Sequence, residues 1–160
     1  MNTFNFQIQA LPDTAFTHLF DLSDQELQQQ GASRMTVDRK PGFPCRVSLQ
    51  DAEVGEAVLL LHYQHHQTDA PYRAGGPIFV RRNVPTAQPQ VNEIPHILRH
   101  RLLSVRAYNA AGWMLQAVVV EGTQLEETIQ QLFGDPAIQY LHIHNAKPGC
   151  YNCSVVRVNS

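Results

Sequence analysis

The sequence predicts an α+β fold in a single domain over residues 1–160, with a mainly antiparallel β-sheet covered by two or three helices. Strand patterns outnumber helix patterns, and short turns join several neighbouring strands. The length of 160 residues is that of one ordinary domain and is too short for two. A chain of this size buries enough surface to fold without disulfides or a structural metal.

The first half of the chain combines short helices with strands. In chain order it predicts a strand at 3–10, helices at 14–20 and 24–30, and strands at 33–37, 45–49, 57–63 and 77–82. Ser23 begins the second helix with a capping box that Glu26 completes, and Gly31 ends that helix. The strand at 57–63 is continuously apolar, which predicts burial on both faces. Residues 65–76 follow it as a polar loop.

The second half begins with irregular chain and ends in strands. The predicted order is a loop at 83–95, a short helix or strand entry at 97–103, a hairpin of 103–109 with 113–121, a helix at 125–133, and strands at 138–144 and 151–158. Three prolines keep the loop irregular. A turn ending at Gly112 joins the hairpin strands, and Thr123 caps the helix with Glu126 at capping-box spacing.

The composition excludes several classes of partner. The formal charge is −2, from 12 basic and 14 acidic side chains, and only 99–106 is locally basic. Because nucleic-acid binding needs a basic face, we expect no nucleic-acid partner. No apolar run approaches the ~20 residues of a membrane span, so we also expect no membrane association. With three cysteines, an odd number, and no signal-peptide pattern, we expect a cytoplasmic protein with reduced thiols.

Three segments carry a resemblance to a known family. They are Cys45-Arg46-Val47-Ser48-Leu49 through Leu60, Pro71-Tyr72-Arg73 through Val80, and His142 through Tyr151. In this order and at this spacing they resemble the bacterial family catalogued as domain of unknown function 1203 (DUF1203). The resemblance implies a single-domain bacterial protein of about this length, and it carries no assignment of catalytic residues.

Two histidines near the C-terminus are the first candidates for chemistry. His142 and His144 lie two apart on a predicted strand, so both side chains project from one face. Imidazoles titrate near neutral pH, which suits proton transfer or anion binding. Cys150 and Cys153 would complete a zinc ligand set, but the strand that follows puts the two thiols on opposite faces. We therefore predict no metal ligand and no structural zinc, and we keep zinc binding by this hairpin as an alternative.

The loop that carries Tyr72 and Arg73 is the second candidate. Two glycines follow it and permit close approach of a ligand to the backbone. The guanidinium of Arg73 is a planar fork that suits a carboxylate or phosphate, and Tyr72 offers a ring and a hydroxyl. The structural alternative is that Arg73 pairs with Asp51 or Glu56 and only fixes the turn.

The secondary candidates are Cys45, His62, Cys150 and Cys153. Cys45 precedes a cationic arginine, which favours a thiolate, but a reduced and at least half-buried strand cysteine is the stronger interpretation. His62 and His65 point to opposite faces of a strand, and His65 and His66 are expected in the solvated loop. The Cys150 and Cys153 pair lacks the helix start that a redox motif uses.

These observations favour a domain that binds a small anionic molecule, with or without catalysis. The predicted pocket lies between the Tyr72–Arg73 loop and the face of His142 and His144, which are about 70 residues apart in sequence. A non-catalytic interaction protein or homodimer is one alternative, because only 16% of the residues are charged. Zinc binding by the C-terminal hairpin is another. The sequence leaves the cofactor and the reaction unknown.

Overall fold

The computed structural model describes residues 3–159, which form eight strands and three α-helices together with short 3-10 turns. The strands are β1 (Phe6–Gln9), β2 (Ala32–Thr36), β3 (Ala57–His66), β4 (Ala74–Arg81), β5 (Leu102–Tyr108), β6 (Met114–Glu121), β7 (Tyr140–Asn145) and β8 (Tyr151–Arg157). The helices are α1 (Asp24–Gln29), α2 (His96–Arg99) and α3 (Leu125–Phe133). In the described part of the chain, no helix has the length and apolar character needed to cross a membrane.

The strands divide into two sheets. One has five strands in the order β1-β8-β7-β5-β6, and the other has three in the order β2-β3-β4. Every strand pair in both sheets is antiparallel, which confirms the antiparallel prediction. The predicted hairpin is confirmed as the pairing of β5 with β6. The strand patterns in the sequence did not predict that the strands divide into two sheets.

Each face of the five-stranded sheet has a different character. On β5 and β7, the side chains of Leu103, Val105, Leu141 and Ile143 point into a core that α3 closes with Ile129. Because strand side chains alternate, the opposite face carries the polar residues of the same strands. They are Ser104, Arg106 and Tyr108 from β5 and Tyr140, His142 and His144 from β7. This polar face meets the end of β3, and a second core lies beneath the three-stranded sheet.

Residues 45–49 form a turn and not the predicted strand. Cys45 makes only an isolated bridge to Phe79, and the Leu49 amide then donates to the Cys45 carbonyl at 3.0 Å. Leu49 has a φ of 53°, a left-handed conformation that ends any strand. The burial predictions are confirmed, because Cys45 and Leu59 are both fully buried.

The polar loop predicted at 65–76 is shorter in the structure. β3 continues through His66, and β4 already begins at Ala74. The predicted capping box of Ser23 and Glu26 is present on α1. The predicted Thr123 cap on α3 is wrong, because a 3-10 turn over Gly122–Gln124 runs directly into this helix.

We expect Gly122→Ala to destabilise the domain, because this position has no room for a side chain. A Cβ at Gly122 would lie 1.8 Å from the carbonyl oxygen of Leu98, at the end of α2. Overpacking against backbone of this kind should lower the free energy of unfolding by about 3 kcal/mol, measured by urea denaturation. Gly76→Ala is the matched control, since a Cβ there meets nothing within 4 Å. Equal unfolding midpoints for the two variants would contradict the packing of this turn.

Candidate functional site

Three histidines converge where the end of β3 meets the polar face of β7. They are His65, His142 and His144, and one imidazole nitrogen from each lies within 4.8 Å of the others. The ring of His65 stands edge-on to that of His144, with centroids 5.0 Å apart. We call this group the histidine cluster. His142 and His144 are buried, and His65 is half-buried at the edge of the cluster.

Strand geometry explains how these side chains meet. His142 and His144 alternate with the core residues of β7, so they share one face. On β3, the pairing with β4 shifts between Tyr63 and His66, which marks a bulge. A bulge redirects side chains, and here both His65 and His66 approach the five-stranded sheet. A second register shift occurs at His144, where β7 pairs with β8.

Each histidine of the cluster has one buried nitrogen without a partner among the described residues. Nδ1 of His65, Nδ1 of His142 and Nε2 of His144 are all buried without a hydrogen bond. The tautomer of His144 is fixed, because its Nδ1 lies 2.9 Å from the carbonyl oxygen of Gly149 and must donate to it. Its Nε2 therefore holds a free lone pair. A buried polar atom without a partner is costly, so three together call for an explanation.

All three rings are held neutral. Burial is the main cause, and it lowers the pKa of His142 to about 3 and those of His65 and His144 to about 4. Neighbouring imidazoles and the guanidinium of Arg106 lower these pKa values further. Three neutral imidazoles with free lone pairs are electron-pair donors, which is the state in which histidine binds metals.

Aromatic residues enclose the cluster on one side. Tyr151 stacks on His65 with ring centroids 5.0 Å apart and an interplanar angle of 9°. His66 is buried beside His142, and both of its nitrogens are used. Its Nδ1 donates to the Tyr72 carbonyl at 2.9 Å, and its Nε2 accepts from the Tyr140 hydroxyl at 2.6 Å. His66 is thereby a fixed wall of the cluster and not a fourth free donor.

Arg106 supplies a positive charge beside the histidines. It lies on β5 directly opposite His142 in the β5–β7 pairing, on the same face of the sheet. Its Nε donates to the Ser104 hydroxyl at 3.3 Å, and its charge influences all three clustered imidazoles. The face therefore combines three neutral imidazoles with one cationic side chain.

Of the four predicted site residues, His142 and His144 lie together in the cluster. Tyr72 is connected to the histidine cluster through His66, which donates to the Tyr72 carbonyl. The ring of Tyr72 contacts Tyr108 and Trp113. Arg73 is exposed and borders a shallow polar depression whose other walls include Gln64 and Asp69. A joint site of Arg73 with His142 and His144 stays a prediction.

The secondary candidates are dispersed. Cys153 is fully buried in the core on the other face of the sheet, and burial raises its pKa to about 12. Cys45 is also buried, and its Sγ accepts from three backbone amides, so it organises the turn that follows. Cys150 is half-buried with Sγ 3.0 Å from Nη2 of Arg46. His62 is exposed on β3 and takes no part in the cluster.

The fold does not bring Cys150 and Cys153 together with His142 and His144 as the alternative zinc site required. His65, expected in a solvated loop, takes the position beside His142 and His144 instead. Sequence alternation correctly put His142 and His144 on one face, but no local pattern signalled His65 or Arg106. The bulge that turns His65 inward depends on the pairing of β3 with β4, which is a tertiary feature.

Comparison with known proteins gives a family and no closer relative. The profile of the family described as "Protein of unknown function (DUF1203)" matches residues 42–157. This range contains all three residues of the histidine cluster. No curated protein and no solved structure is significantly similar to the chain.

We expect one of the three thiols to react quickly in the native protein. Cys150 is half-buried at a cavity wall, whereas Cys45 and Cys153 are fully buried. Neutral iodoacetamide should alkylate Cys150 first, as located by peptide mass spectrometry, and all three in denaturant. Cys150→Ser should remove the fast phase. Rapid native labelling of Cys45 would contradict this ranking and would indicate an accessible nucleophile at the turn.

Proposed function

We propose that this chain, which belongs to the DUF1203 family, binds a divalent transition-metal ion through His65, His142 and His144. The proposal is carried by the convergence of three imidazoles, with one nitrogen of each within 4.8 Å of the others. Each of these imidazoles also has a buried nitrogen without a hydrogen-bond partner among residues 3–159. A metal ion would accept all three lone pairs at once. A proton or a water molecule satisfies such a set less completely.

The dimensions support a tetrahedral ion. Zinc–nitrogen bonds of about 2.1 Å in a tetrahedron require ligand nitrogens roughly 3.4 Å apart. The observed nitrogens lie within 4.8 Å of one another, so binding of the ion would draw the three rings closer together. The hydrogen bond from His144 Nδ1 to the Gly149 carbonyl is the outer contact that commonly orients a metal-bound histidine.

Three protein ligands leave a fourth position for an exchangeable group. Structural zinc sites are closed by four protein ligands, whereas three histidines with one open position are typical of catalytic sites. A bound ion would supply Lewis acidity there and would lower the pKa of a bound water. Arg106 would hold an anionic ligand beside that position. The proposed function is therefore metal-dependent binding of water or a small anion, which retains the anionic ligand predicted from the sequence.

The test is direct metal binding to chelator-treated protein. We expect one Zn²⁺ per chain by elemental analysis and by calorimetry. Losing an outer partner costs 10–100-fold in metal affinity, so losing a ligand in His65→Ala or His144→Gln should cost at least about 100-fold. His62→Ala is the matched control, because His62 is on the same strand and exposed. Zinc binding by His65→Ala with the affinity of the unaltered protein would refute the proposal.

Thermal unfolding gives a second measurement. At 100 times Kd, a bound ion adds about 2.7 kcal/mol to the free energy of unfolding. For a chain of this size the Tm should then rise by roughly 5–10 °C. The rise should persist in His62→Ala and be absent in His65→Ala. The circular dichroism spectra of both variants should match that of the unaltered protein and so exclude misfolding as the cause.

A second candidate function, self-association through β6, rests on a separate observation. β6 is one of the two edge strands of the five-stranded sheet, and its eight residues include no Lys, Arg or Pro. The side chains of Leu115 and Val119 on this strand are 44% and 62% exposed. An apolar edge without these protective residues is a template for pairing. A second copy would complete it by antiparallel pairing of β6 with β6 about a twofold axis.

Sedimentation equilibrium tests this candidate. We expect a dimer that Val119→Lys converts to monomer, because a charge on the edge opposes strand pairing. Val54→Lys is the matched control, since Val54 is 64% exposed in a turn far from β6 in sequence. A monomer at all concentrations, or a dimer that Val119→Lys leaves intact, would exclude pairing through β6.

A further inference from the structure

A second cavity, separate from the histidine cluster, has an unbalanced charge. It has a volume of about 520 Å³ and opens between the turn at 42–46, the start of β5 and the turn that joins β7 to β8. Its lining includes four cationic residues, which are Arg39, Arg46, Arg101 and Lys147. None of the described residues that line it is acidic. One third of the chain's 12 basic side chains therefore face one cavity.

Arg46 is the residue that most requires a counter-ion. Its side chain is buried, with 1% of the residue's surface exposed, and it is the largest fully buried side chain described. Buried charges in proteins are ordinarily paired. Within the described residues, no carboxylate lies within 4.0 Å of this guanidinium, although Arg34, Arg81 and Arg101 all have one.

The contacts of Arg46 leave part of its hydrogen-bonding capacity free. Nε donates to the Tyr151 carbonyl at 2.7 Å, Nη1 to the Pro44 carbonyl, and Nη2 to Sγ of Cys150 at 3.0 Å. A guanidinium has five N–H groups, so one remains on each terminal nitrogen. One N–H group from each terminal nitrogen can together hold a carboxylate or phosphate through two oxygens.

The neighbouring charges have the same sign. Arg101 is close enough to influence Arg46, although its own charge is paired with Asp51 at 2.6 Å. Lys147 is exposed at the rim of the cavity. Arg39 forms an ion pair with Asp38, and both of these side chains are exposed to solvent. Like charges around a desolvated guanidinium are unfavourable, and an anion in the cavity would relieve this repulsion.

The rest of the wall is apolar. Phe79, Leu102 and Pro148 face the same cavity, and the volume is within the range typical of small-molecule sites. We propose that this cavity binds an organic anion, with a carboxylate or phosphate held by Arg46 and the apolar part against Phe79 and Leu102. The site is distinct from the metal site proposed above and does not depend on it.

The test uses benzoate and phenyl phosphate as probes, with benzamide as the uncharged analogue, on chelator-treated protein in calorimetry. We expect saturable binding of one molecule of at least one anion, and binding of benzamide at least tenfold weaker. Which anion binds more tightly decides between a carboxylate and a phosphate as the natural group. Rising salt should weaken the binding, because exposed charges at the rim contribute to it.

Arg46→Met removes three buried hydrogen bonds and would therefore disturb folding as well as binding. The test instead uses variants at the rim of the cavity. We expect Arg39→Gln and Lys147→Gln each to weaken the anion two- to fivefold and the double variant about tenfold. Arg99→Gln, an exposed arginine outside the cavity lining, is the matched control and should leave the affinity unchanged. His65→Ala should also bind the anion normally, which separates this proposal from the metal site.

Alkylation of Cys150 gives a readout located in the cavity itself. Because Cys150 lines the wall, the bound anion should slow its reaction with neutral iodoacetamide, with half-protection at the Kd found by calorimetry. The proposal is overturned if neither anion binds saturably, or if benzamide binds as tightly as they do. It is equally overturned if the double rim variant keeps full affinity, or if Arg73→Gln abolishes binding.

Discussion

Arg46 connects the two sheets through its buried side chain and its backbone. Its side chain donates to the carbonyl of Tyr151 at 2.7 Å, at the start of β8 in the five-stranded sheet. Its own amide donates to the Phe79 carbonyl of β4 at 3.1 Å, in the three-stranded sheet, and its carbonyl accepts from Leu11 at 3.0 Å. One residue therefore satisfies backbone groups from three distant parts of the chain. These groups would otherwise be buried without partners, which is costly.

The histidine cluster depends on the same connection. The start of β8 follows the turn that carries Gly149, and the Gly149 carbonyl fixes the tautomer of His144. Tyr151, whose carbonyl Arg46 holds, stacks on His65. Two register shifts lie at the cluster, which takes His65 from one sheet and His142 and His144 from the other. The geometry of the cluster is thus set by the packing of the sheets against each other and by no single strand.

The sequence predicted correctly those features that depend on contacts within one short segment of the chain. The capping box of Ser23, the β5–β6 hairpin and the face shared by His142 and His144 follow from spacing within one segment. Two of the features that failed, the strand at 45–49 and the solvated position of His65, depend on distant partners. Cys45-Arg46-Val47 alternates like a strand, yet Arg46 is buried and its Nε donates to the carbonyl of Tyr151, far along the chain. His65 lies next to polar residues in sequence and becomes a cluster member only through the bulge in β3.

The electrostatics of the cluster limit what could occupy the fourth position of a bound ion. Three neutral imidazoles leave the full charge of a divalent ion uncompensated. Arg106 adds a further positive charge on the same face, and the charge of Arg46 also reaches His144. A partly buried site with this excess of positive charge disfavours a neutral fourth ligand. Hydroxide or a small carboxylate or phosphate would offset part of this charge, so the proposed metal site should prefer an anionic fourth ligand.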